Sequence, residues 1–95
     1  MVVFAPDDVI EQAERQQWTN TRYEHGQGQL LFLERWMQDD KYILHIWCTT
    51  GTVASFLDHP NQGRTQLYRR NVDWSMLVQI MQNPRVHTGQ GYHYR

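Results

Sequence analysis

Arg64, Gln66, Tyr68 and Arg70 occupy every second position of the segment RTQLYRR, and the chain closes on PRVHTGQGYHYR, which adds Arg85, His87, Tyr92, His93, Tyr94 and Arg95. In an extended strand, alternate residues share one side, so the first four side chains would line up together. Guanidinium groups meet phosphates and carboxylates through paired hydrogen bonds, and tyrosine rings offer flat surfaces on which bases stack. These residue types suit contact with an anionic partner, with nucleic acid the favoured anion and an acidic protein surface next. The binding residues expected on this basis are Arg64, Gln66, Tyr68, Arg70, Arg85, His87, Tyr92 and Arg95. Solvated arginines with Tyr68 packed at a sheet edge would explain the same residues without any ligand.

The same segment permits, without specifying, acid–base cleavage of RNA. That chemistry needs a general base, a general acid and cations beside the scissile phosphate. His87 or His93 with Arg64 and Arg70 would fill those roles, and no carboxylate is spaced among them to serve as base. A non-enzymatic domain is therefore the leading expectation and a ribonuclease-like enzyme the alternative. Other catalytic patterns are absent from the sequence. Ser55 and Ser75 lie in no GxSxG motif, and Cys48 stands in an apolar run that suggests a buried thiol. HTGQGYH contains GxG but follows a helical pattern instead of linking a strand to a helix, so no phosphate loop is expected. His25, His45, His59, His87, His93 and Cys48 show neither a CxxC pair nor an HExxH spacing, and neither a metal nor a cofactor is expected. A small-molecule pocket lined by aromatics is compatible with the composition, but nothing in the spacing selects a ligand.

Charge along the 95 residues is polarised beneath a net value of −1. Residues 1–58 carry nine acids against Arg15, Arg22, Arg35 and Lys41, whereas residues 59–95 carry five arginines against Asp73 alone. Such a map suits an anionic ligand, or two copies meeting acidic half to basic half; it also describes an ordinary solvated surface. Against nucleic acid stand the near-neutral total and the single lysine. The βαββαβ order and the RNP aromatic motif of an RNA-recognition-type domain are missing as well. Trp36, Trp47 and Tyr68 are candidates for a protein interface, since Trp, Tyr and Arg dominate such contacts. A thin core and open sheet edges favour self-association, and a homodimer is expected.

The length allows one domain, and 40% hydrophobic residues with 13% aromatic ones are enough for a core. No run of eighteen apolar residues exists, so no membrane span is expected. MVVFAPDD lacks the basic start of a secretory leader, and one cysteine fits a reducing compartment, so the expected location is cytoplasmic.

These residues must be positioned by elements that periodicity outlines. PDDVIEQAERQQW predicts an amphipathic helix with Val9, Ile10, Ala13, Gln17 and Trp18 inward. Pro6 suits its first turn and the following acids its positive end. TNTRYEHGQG is either a brief strand or a loop. QLLFLERWM and KYILHIWC are strands joined by turn formers. In the second, Tyr42, Leu44, Ile46 and Cys48 share a face opposite Ile43, His45 and Trp47. A turn at Thr49–Gly51 leads to TVASFLD, and a loop around Pro60 leads to RTQLYRR. Asp73 is a good N-cap for WSMLVQIMQ, with Trp74, Leu77, Val78 and Met81 inward and a stop near Asn83 imposed by Pro84. The expected fold is a single α+β domain spanning residues 1–95. It has an antiparallel, meander-like four-stranded sheet with an N-terminal and a C-terminal helix on one face. Gly89 and Gly91 let the tail turn back, so that Tyr92–Tyr94 can add a short further strand.

Overall fold

The first helix, α1 (Pro6–Arg15), starts at a proline and carries Asp7 and Asp8 in its first turn, where carboxylates complement the positive end of the helix dipole. Its exit is a Schellman turn: Trp18 N–H donates to the Ala13 carbonyl (2.9 Å) and Gln17 N–H to that of Glu14 (3.1 Å). Gln17 takes the left-handed conformation this turn requires, with φ 68°. That geometry places Gln17 outside while Trp18 and Ala13 enter the core. The structure, a computed structural model, describes residues 3–24, 26, 29–37, 40–59, 63–84 and 91–94.

Six strands follow the chain as one antiparallel meander in the order β1 to β6. They are β1 (Thr19–Glu24), β2 (Leu30–Met37), β3 (Asp40–Trp47), β4 (Thr52–His59), β5 (Gly63–Arg69) and β6 (Gly91–Tyr94), with α2 (Trp74–Gln82) between the last two. The α+β class, the meander and both flanking helices are as the sequence predicts. The sheet is wider than the expected four strands. The segment that could be strand or loop is β1, and the tail does return to pair with β5.

Alternation within each strand separates two faces. Leu31, Leu33, Leu44, Ile46, Cys48 and Val53 meet Val9 and Ala13 of α1 and Leu77, Ile80 and Met81 of α2 in one buried cluster. The stripe of α2 is therefore Leu77, Ile80 and Met81, rotated from the expected one. Val78 is half-buried, and Trp74 stays exposed with its ring edge-on to Phe4 at 6.3 Å. Asp73 caps the helix as predicted, its Oδ1 accepting from Met76 N–H at 2.8 Å.

The last turn of α2 contains no basic residue, and its carbonyls are satisfied from outside the helix. Trp18 Nε1 and Arg35 Nη1 both donate to the Met81 carbonyl, at 3.0 and 3.1 Å. Just beyond the helix, Ser55 Oγ (2.9 Å) and Arg69 Nη2 (2.8 Å) donate to the Pro84 carbonyl. Two arginines of the sheet thus anchor the negative end of the second helix.

Candidate functional site

The buried residues of both helices belong to the cluster on one face of the sheet, and among the described residues no helix packs on the other. Backbone pairing on that open face aligns Arg22, Phe32, His45, Ala54, Tyr68 and Tyr92 in a single row across all six strands. The adjoining row aligns Glu34, Ile43, Phe56, Gln66 and Tyr94. The face is therefore aromatic at its centre.

Ring contacts tie that centre together. His45 stands edge-on to Phe32 at 4.6 Å between ring centres and tilted against Phe56 at 4.7 Å. Trp47 lies 6.1 Å from His45, and Tyr68 lies 6.2 Å from Phe56. Edge-to-face pairs of this kind are favourable because the positive rim of one ring meets the negative face of another. Phe56 and Ala54 are buried although no helix covers them, so the neighbouring side chains close over the middle of the face. Phe32, His45, Trp47 and Tyr68 remain half-buried and partly accessible.

Cations sit at the margins of this surface. The Arg22 guanidinium lies over the Phe32 ring at 5.5 Å and pairs with Glu24 at 2.8 Å. The Lys41 ammonium lies 5.9 Å from the ring centre of Trp36 and 3.2 Å from Glu34. Trp36 itself is 65% exposed, the most open of the large apolar side chains described. The Arg22–Glu24 pair is exposed and therefore weak, whereas Lys41 and Glu34 are both half-buried.

At the end of the sheet closed by the turn between β3 and β4, Trp47, Thr50, Thr52, Tyr68 and Arg70 line a groove of about 360 Å³. Gly51 makes the turn possible with φ 73°, and Trp47 accepts backbone bonds from Thr50 (3.3 Å) and Gly51 (3.0 Å). Thr50 Oγ1 donates to Thr52 Oγ1 at 3.0 Å, which leaves the Thr52 hydroxyl proton to point elsewhere. Arg70 is exposed, and no acid lines the groove. A second hollow of about 130 Å³ lies between the helices, where Asp8 and Glu11 among its walls disfavour an anion.

Of the residues that the sequence nominates, Tyr68 and Arg70 come together in the groove, and Gln66 lies one row away on the open face. Arg64, Tyr92 and His93 are placed by backbone register alone: Arg64 opposite Asp58, Tyr92 opposite Tyr68 and His93 opposite Leu67. Arg85, His87 and Arg95 lie outside the described residues, as does His25. Arg69, which adds to the basic tally of the C-terminal half, turns to the opposite face and is fully buried. Its guanidinium donates to Ser55 Oγ at 2.9 Å as well as to Pro84. Burial pushes its pKa down to about 10, so it remains a cation at neutral pH. Cys48 is buried too, and desolvation pushes its thiol up to about 11, which keeps it protonated and unreactive.

Phe32, His45 and Phe56 were not apparent as site residues from sequence. Alternation places each on this face, but only strand register shows that they touch. Thr50 and Thr52 carry no signal of their own beyond flanking a glycine turn. Among the described residues no helix is long and apolar enough to cross a membrane. No three His, Cys, Asp or Glu side chains among them gather where a metal could be held. No protein-family profile, curated protein or solved structure matches the chain.

Proposed function

We propose that this chain is a non-enzymatic binding domain that receives single-stranded nucleic acid on the open face of its sheet. The observation that carries this reading is the row of Phe32, His45 and Tyr68 across a face that neither helix covers, with Trp47 and Arg70 at its end. Unpaired bases stack on such rings whatever their identity, and cations at the margin follow the phosphates. The balance of charge implies modest affinity: Arg22 and Lys41 must leave Glu24 and Glu34 to contact phosphate, while Arg70 makes no ion pair among the described residues.

A labelled single-stranded 12-mer titrated at several salt concentrations tests this directly. Each phosphate neutralised on a single strand contributes about −0.7 to the log–log slope, so three cations predict a slope of about −2. The corresponding duplex should bind more weakly, because its bases are already stacked. No binding at low salt, or a preference for duplex, contradicts the proposal.

A second reading is self-association, favoured by the exposure of Trp36 beside Lys41 at one corner of the open face. An acidic protein surface, including α1 of a second copy, would also complement the cations. A mass equal to one chain at high concentration in light scattering removes the dimer. A ribonuclease-like activity would rest on His87 or His93 with Arg64 and Arg70, of which His87 lies outside the described residues.

A further inference from the structure

We infer that the groove bounded by Trp47, Thr50, Thr52, Tyr68 and Arg70 is a subsite for one nucleotide, with the base against the aromatic rings and the phosphate on Arg70. This rests on the single-strand reading above and gives it a location.

Four features converge on this ligand. The groove, at about 360 Å³, is open to solvent along its length, which suits a nucleotide that remains part of a longer strand. Two of its five walls are flat aromatic side chains, Trp47 and Tyr68, both half-buried and therefore held in place while still presenting surface. Its one charged wall is Arg70, an exposed cation with no acid among the groove residues to compete for it. A guanidinium matches phosphate oxygens with two parallel donors. The hydroxyl pair of Thr50 and Thr52 supplies the neutral polar contact that a sugar or base edge needs. A bare anion would leave the rings unused, and an apolar ligand would leave Arg70 facing it unpaired. A nucleoside monophosphate uses every wall.

The groove also lies where the aromatic row ends. Tyr68 belongs to both, since it pairs with Ala54 in the row and faces Arg70 and Trp47 in the groove. A strand whose terminal nucleotide sits in the groove can therefore lay its next bases toward His45 and Phe32.

The test is a titration with adenosine 5′-monophosphate, with adenosine and inorganic phosphate as separate probes. Binding is followed by the indole Nε1–H resonance of Trp47, assigned through Trp47→Phe, and in the Trp47 variants by the backbone amide resonances of Thr50, Thr52 and Arg70. The expected result is a saturable shift with the monophosphate and a weaker one with adenosine. Arg70→Gln, at an exposed position, should weaken the monophosphate at least about five-fold and leave adenosine nearly unchanged. Trp47→Ala should weaken both by a similar or larger factor, as expected for loss of one stacking partner. Trp47→Phe, which keeps a ring, should retain most of the affinity and guards against a folding defect in the alanine variant. Arg15→Gln removes a cation from α1, on the other side of the sheet, and should change nothing.

An unshifted Trp47 resonance at saturating monophosphate overturns the subsite, as does unchanged affinity in Arg70→Gln. The oligonucleotide separates the two claims. Full strand binding by Trp47→Ala and Arg70→Gln removes the subsite but keeps the open face as the binding surface. Monophosphate binding in the groove with no strand binding supports the subsite and removes the single-strand reading.

Discussion

The guanidinium of Arg69 lies inside the protein, donating to Ser55 Oγ at 2.9 Å and to the Pro84 carbonyl at 2.8 Å, whereas that of its neighbour Arg70 stands exposed at the groove. Adjacent residues in a strand point to opposite faces, so two identical side chains meet opposite environments. Hydrogen bonds from a charged donor contribute about 1.5–3 kcal/mol, and the emptied space adds a cavity cost. Arg69→Ala is therefore expected to lose about 2–4 kcal/mol in urea unfolding. Arg70→Ala should stay within about 0.5 kcal/mol of the native protein, as exposed substitutions usually do, and under the proposed subsite should weaken the nucleoside monophosphate without abolishing its binding. Equal stability of the two variants would show that the Pro84 anchor is not structural. Alternation in RTQLYRR already separates these arginines. What it cannot show is the depth of Arg69, because the Pro84 acceptor lies beyond a helix that must first fold back.

The elements themselves were largely legible. Helical spacing, the Asp73 cap and the stop before Pro84 outline α2, and alternation outlines β2 to β5. The first strand was ambiguous for a physical reason: four of its six residues are exposed, so no apolar alternation marks it. The turn after β3 is where element geometry is most tightly constrained. Gly51 has φ 73°, and a Cβ there would lie 3.2 Å from the Val72 carbonyl oxygen and 3.3 Å from Val3 Cγ1. A non-glycine residue in the left-handed region costs about 1–2 kcal/mol before any contact is counted. Gly51→Ala is thus expected to destabilise by about 1–3 kcal/mol in urea unfolding. Gly26→Ala, with nothing within 4 Å of the new methyl, should be close to neutral. If Gly51→Ala proves as stable as Gly26→Ala, the turn can adopt another conformation and the groove it supports is not preformed.

For the whole molecule, the acidic and basic halves of the sequence do not become two faces of opposite charge: α1 is acidic, while the open face carries Arg22, Lys41 and Arg70 beside Glu24 and Glu34. The helix α1 carries Asp7, Asp8, Glu11 and Glu14 against Arg15, all exposed. Arg22 and Lys41, from the acidic half of the sequence, fold onto the open face, while Arg69 leaves the surface altogether. Under the proposed function, an anionic strand would avoid the acidic α1 and meet rings and three cations on the open face, displacing Glu24 and Glu34 from Arg22 and Lys41. This arrangement was only half legible, since summing charge along the chain ignores which face each strand residue occupies. Mapping amide and indole NMR shifts during titration with a single-stranded oligonucleotide tests the central claim most directly. Shifts concentrated at Arg22, Phe32, His45, Trp47, Tyr68 and Arg70, with α1 unperturbed, are the predicted result. Shifts confined to the helical face, or none at all at low salt, would contradict it.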